Sequence, residues 1–239
     1  MIRVSQACRR SALVLVLLPV LAGAAASKPH IIVFGKWITV QWTVEFSVAA
    51  EPEKLSLKVR PLLIDARVKE FTLGPAHDVT DRLFVVRRAF RVNDNLPQEP
   101  ALPPRWQWQQ AGWLLVDRLT GHITSLNLPD FDAVYSAGSW YRDYVAYCGI
   151  SDDGKKLYAV VAQINRRKPV LKKLLEPPAK GTGELGQATE TRACAPPSWQ
   201  RNPSRVTFES AGGSQQTFAI RGRVADLMTE EDDDEGASK

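Results

Sequence analysis

The stretch Trp37-Ile38-Thr39-Val40-Gln41-Trp42-Thr43-Val44-Glu45-Phe46-Ser47-Val48 decides the fold class. Ile38, Val40, Trp42, Val44, Phe46 and Val48 alternate with Thr39, Gln41, Thr43, Glu45 and Ser47. Successive side chains of a strand point to opposite faces. A period of two held this long therefore predicts one long strand with one buried face. Leu55, Leu57 and Val59 alternate in the same way with Ser56, Lys58 and Arg60, which predicts a second strand and a hairpin across Ala49 to Lys54. Leu83 to Val92 predicts a third: Phe84, Val86, Phe90 and Val92 share a face, with Arg88 as the exception. Leu83, Val86 and Phe90 also fit helical spacing, but β-branched and aromatic residues suit a pleated surface better.

Turn residues divide the remainder. Pro97, Pro100, Pro103 and Pro104 place Asn93 to Arg105 in a loop, because proline lacks an N–H and fixes its own φ; this loop could split the β-domain into halves. Gly112 to Arg118 and His122 to Leu128 flank Leu119-Thr120-Gly121, a hairpin. Tyr144 to Ile150 and Leu157 to Ile164 flank Ser151 to Lys156, whose Asp153-Gly154 is a strong hairpin signal. Pro169 to Leu175 fits strand or helix. Glu176 to Pro203, rich in Pro and Gly, is irregular. Arg205 to Glu209 and Gln216 to Val224 form a last hairpin around Ala211 to Ser214.

The two ends differ in chemistry from the body. Arg3, Arg9 and Arg10 precede an apolar run, Ala12 to Leu21, and then Ala22 to Ala26 with Gly23. A basic start, a short apolar centre and small residues at the end predict a secretory signal peptide over residues 1–26. The run is too short for a good membrane span, and no second apolar segment follows. Its removal leaves 213 residues, enough for one domain. Residues 226–239 hold seven acids and one base and are predicted to be a disordered acidic tail. The predicted β-domain, residues 27–225, carries a net charge of +8, which favours anionic partners.

Cys8 leaves with the signal. Cys148 and Cys194 remain, and in an oxidising compartment they most simply form a disulfide. The chain-entropy treatment gives such a bond roughly 4 kcal/mol. Two free or metal-bound thiols are the alternative, disfavoured because no His or second Cys sits at ligand spacing.

Trp113 to Asp117 with Thr120-Gly121, followed by Val145-Ala146-Tyr147 with Ser151 to Tyr158, resembles β-propeller blades of the WD-repeat and TolB-like families. The resemblance covers about a quarter of the chain, and residues 31–105 carry no matching repeat. It implies a binding or scaffold role and carries over no site residues.

No catalytic motif stands out. His30, His77 and His122 are far apart and have no zinc spacing, so neither a metal centre nor any cofactor is expected. Gly138-Ser139-Trp140 lacks the second glycine of a nucleophile elbow. Asp130, Asp132 and Asp143 lie near aromatics and could serve a glycosidase, although Arg142-Asp143 reads equally as a local ion pair. The aromatics give the best binding candidates. Trp106 and Trp108 alternate onto one side of an extended segment, and Trp140 and Tyr141 adjoin Arg142 and Asp143. Such rings stack on sugars or cations, or else fill a core. Arg166, Arg167, Lys168, Lys172 and Lys173 form a basic cluster that also suits a protected strand edge.

The expectation is therefore a single all-β domain: an antiparallel meander closed as a sandwich or a barrel, with a propeller-like arrangement as a variant. The expected role is that of an exported, non-catalytic envelope binding or scaffold protein, periplasmic or extracellular. Its partner would be an anionic or glycan envelope component rather than nucleic acid. A glycan- or wall-polymer-directed hydrolase is the alternative. Ligand and oligomeric state are not legible.

Overall fold

The computed structural model describes residues 29–44, 53–95, 103–154, 156–175, 194–202, 204–210, 214–222 and 224–227. The predicted signal peptide lies outside them, as does all of the predicted tail except Asp226 and Leu227. Among the described residues the chain is all strand and loop, and no helix is long and apolar enough to cross a membrane.

Seven strands build the first sheet: β1 (Ile32–Phe34), β2 (Ile38–Val44), β3 (Glu53–Ile64), β4 (Arg67–Asp78), β5 (Leu83–Asn93), β6 (Trp106–Asp117) and β7 (Ile123–Leu126). β2 to β6 pair consecutively and antiparallel. β6 then meets β2 at Trp42 and Trp108, which closes a five-stranded ring. In an up-and-down meander of odd strand number the first and last strands run the same way, so this closing pair is parallel. β1 extends the sheet along the end of β3, and β7 along β6.

The predicted β2–β3 hairpin is present, although its turn lies outside the described residues. Asn93 to Arg105 does not split the domain. β5 and β6 pair on either side of it, and Asp94 N–H donates to the Arg105 carbonyl, so it is a hairpin connection inside one sheet. Arg88, the charged exception on β5, donates Nε–H to Glu70 Oε2 on β4 at 2.9 Å.

Two small cores occupy opposite faces of this sheet. Val59, Leu73 and Ala89 fill one, with Val40, Leu57, Phe71 and Trp108 half-buried around them. Leu62, Phe84, Val86, Leu114 and Val116 fill the other, capped by Phe34 edge-on to Phe84.

Two four-stranded meanders follow. One is β8 (Ser139–Tyr141), β9 (Tyr144–Ile150), β10 (Leu157–Gln163) and β11 (Leu171–Leu174). The other is β12 (Ser198–Gln200), β13 (Arg205–Glu209), β14 (Gln215–Arg221) and β15 (Val224–Leu227). They share a core in which Ala146, Cys148, Ala159 and Val161 meet Val206, Phe208, Phe218 and Ile220. The Cys148–Cys194 disulfide sits in that core, with a Cα–Cα distance of 6.3 Å. β9 is apolar along its whole length because both its faces are covered: Val145 and Tyr147 pack on Leu128 and Phe131 of the preceding loop.

The two pieces of the propeller resemblance fall in different sheets. Trp113 to Asp117 belongs to β6, and Val145 to Tyr158 to the β9–β10 hairpin. Gly154 supplies the φ of 70° that this hairpin turn requires. The last two sheets have the up-and-down order of blades, but the first sheet closes as a five-stranded ring instead. The last strand takes in Asp226 and Leu227, opposite Ala219 and Phe218, so the predicted boundary of the tail at residue 226 falls too early.

Candidate ligand-binding cleft

The first sheet meets β8 along a cleft of about 560 Å³. Leu57, Leu73 and Gln110 form its floor on the first sheet, and Lys58 stands exposed at its rim. The other wall is Ala137-Gly138-Ser139-Trp140. His77, Arg87 and Trp113 stand where the two walls join.

The join is made by hydrogen bonds and rings. His77 Nε2–H donates to the Arg142 carbonyl at 2.8 Å, and its ring stacks on Trp140 with centroids 5.9 Å apart. This bond fixes the neutral His77 as the Nε2–H tautomer and leaves Nδ1 as an acceptor. Trp113 meets Trp140 edge to face at 5.2 Å. Arg87 donates to the carbonyls of Ala111 and Ala133, which ties β5 to the loop before β8. Gly138 lies flat on Trp113: a Cβ there would come within 3.1 Å of the indole, so a larger residue would push the wall away.

The indole N–H groups of Trp113 and Trp140 are buried and neither has an acceptor. Trp113 is only 8% exposed. An unpaired buried donor costs about 1–3 kcal/mol, so both rings are held in place by their packing against that penalty.

The structure brings only part of the predicted set together. Trp140 faces the cleft. Tyr141, next on the same strand, points the other way and packs on Trp199 at 5.4 Å. Arg142 adopts φ 52° in the β8–β9 turn, and its guanidinium lies over Tyr141. Asp143 accepts from Gln163 Nε2 at 2.7 Å. Trp106 and Trp108 lie at the far end of β6, around Arg91. Sequence reasoning weighed His77 only as a metal ligand, and named neither Gln110 nor Lys58 as a site residue. Their only signal is register across strands, which local periodicity does not carry.

The candidate carboxylates are engaged elsewhere. Asp130 binds Lys172 at 2.7 Å, a hydrogen bond that also raises the lysine pKa. Asp132 accepts from the N–H groups of Val134 and Tyr135. Of the basic cluster, Lys172 and Lys173 belong to β11, the edge strand of its sheet. Burial pushes the Tyr147 phenol far above its ordinary value, and its O–H donates to the Pro129 carbonyl at 2.6 Å. Among the described residues no group of three or more His, Cys, Asp or Glu could hold a metal ion. This chain matches no known protein family, no curated protein and no solved structure.

Proposed function

We propose that this chain is an exported, non-catalytic binding protein of the cell envelope whose cleft takes a glycan. The observation that carries the reading is the aromatic cleft itself, with Trp113 and Trp140 in its wall and the polar side chains of Gln110 and Ser139 beside them. Sugars present flat C–H faces for rings and many oxygens for polar side chains, so one ligand class answers both features. The Cys148–Cys194 disulfide is consistent with passage through an oxidising compartment. A hydrolase has less support, because Asp130, Asp132 and Asp143 are each held in structural bonds and none of them lines the cleft.

The test is a glycan array on the purified mature protein, followed by titration of the hits and an assay for newly formed reducing ends. Binding without new ends is expected, and Trp140→Ala should weaken it about tenfold, as loss of ring contacts implies. Absence of any glycan hit, or turnover of one, overturns the reading.

A further inference from the structure

The corner of the first sheet built by β1, β3 and β4 is apolar on both faces. Ile31-Ile32-Val33-Phe34 and Pro61-Leu62-Leu63-Ile64 run without a polar residue. Ile32, Phe34 and Leu62 point inward, onto the core that holds Phe84, Val86 and Val116. Their neighbours along each strand therefore point outward. Val33 stands opposite Leu63, and Leu63 opposite Val68, so these three form a row across β1, β3 and β4. Ile31 joins the row by alternation from Val33. Ile38, opposite Val59, extends it onto β2, because Val59 shares its face with Leu63.

A strand with apolar side chains on both faces is ordinarily covered on both, as β9 is. Here the outer face is open: Ile31 is 64% exposed, Val33 47%, Ile38 44% and Val68 53%. The charge around it has one sign. Lys36 lies between β1 and β2, and Arg67 and Lys69 flank Val68. All three are exposed, and none has an ion pair among the described residues. The neighbouring carboxylates are engaged, Asp65 by His30 at 2.7 Å and Glu70 by Arg88 at 2.9 Å. Two copies meeting through this face would bring like charges together. A partner surface that is both apolar and anionic matches the side chains and the charge at once.

We infer that this corner is a membrane-contacting face, which lays Ile31, Val33, Ile38 and Val68 among the headgroups of an anionic bilayer while Lys36, Arg67 and Lys69 meet lipid phosphates. The contact rests on the bilayer surface and does not cross it. It is independent of the glycan reading of the cleft, and it gives an exported chain a place in the envelope.

Co-sedimentation of the chain from Ser27 onward with vesicles of phosphatidylglycerol and phosphatidylcholine in equal parts, and with phosphatidylcholine alone, tests it. The mixed vesicles should bind the protein at least about tenfold more tightly than the neutral ones, and added salt should release it. Val68→Glu should weaken binding about tenfold or more and Lys69→Gln about fivefold, both at unchanged Tm because both residues are exposed. Val68→Cys carrying an environment-sensitive dye should shift its emission to the blue on the mixed vesicles. The same dye on Val224→Cys, exposed on β15, should not shift. Equal binding to neutral vesicles overturns the anionic assignment, and binding to neither overturns the proposal. Binding that Val68→Glu and Lys69→Gln leave unchanged places the contact elsewhere and overturns it too. A dimer that Val68→Glu dissociates, without vesicle binding, gives the face to a second copy instead. Glycan binding at the cleft should be the same with and without Val68→Glu, so each reading can fail alone.

Discussion

Ala66 shows how a single residue can hide an element. It follows Asp65 in the two-residue turn between β3 and β4, with φ values of 51° and 64°. Positive φ at both central positions suits Asn-Gly or Asp-Gly, because a Cβ crowds the neighbouring carbonyl there. Asp65 is held from outside: His30 Nδ1–H and the Ile31 N–H both donate to its carboxylate, and the His30 bond lowers its pKa. Ala66 has no such support. Ala66→Gly should therefore raise stability by about 0.5–1 kcal/mol. Urea unfolding checks this, and a lower midpoint would mean that the methyl group contributes packing.

At the scale of elements, ion pairs and one covalent bond fix strand ends. Arg82, just before β5, grips Asp117 at the end of β6 through Nε, 2.9 Å from each carboxylate oxygen, and again through Nη2. Leu119 N–H donates to the same carboxylate, which starts the turn into β7. The guanidinium holds the Asp117 pKa far below the ordinary carboxylate range. A depressed folded-state pKa means stabilisation that is present above the unfolded value of about 3.9 and lost as pH falls toward the folded one. Asp117→Asn should therefore lower Tm at neutral pH, and its deficit should shrink on acidification below about pH 4. Parallel Tm curves for the two proteins would rule this out. In the last two sheets, Cys194→Ser should lower stability by about 2–5 kcal/mol, since the bond links β9 to the segment before β12 within their shared core. Thiol titration of the unfolded, unreduced protein should find no free thiol, and two would contradict the bond.

At the scale of the whole molecule, a five-stranded ring and a pair of meanders are joined by hydrogen bonds from His77 to Arg142 and from Arg87 to Ala133 and by the Trp113–Trp140 ring contact. The cleft is this seam, so its shape depends on how the two halves meet. Trp199, whose Nε1–H donates to the Ser139 carbonyl at 3.0 Å, holds the edge of β8 from the other side. The export proposal belongs to this scale too. Mass spectrometry of the protein from its native envelope fraction should give a new N-terminus near Ala25 or Ser27. Intact Met1 on most molecules would refute cleavage.

The sequence by itself determined the strands marked by an apolar period of two, even with the exception of Arg88 in β5, and the hairpins whose turns use glycine. β2 stands where the pattern put it as far as Val44, the rest of that predicted strand lying outside the described residues, and β5 and the β9–β10 hairpin around Gly154 stand where expected. These signals act within about ten residues, where side-chain alternation and allowed φ decide the outcome. β4 escaped because its entry turn is Asp-Ala, and because Gly74 and Pro75 interrupt it where the ladder to β5 shifts register. The Cys148–Cys194 pairing was legible by count alone. Only the tertiary structure decided the parallel closure of β2 on β6, the stacking of the two meanders and the meeting of His77, Trp113 and Trp140. Those depend on strand order and on bulges that rotate a side chain from one face to the other, and a bulge leaves no mark in the local hydrophobic period.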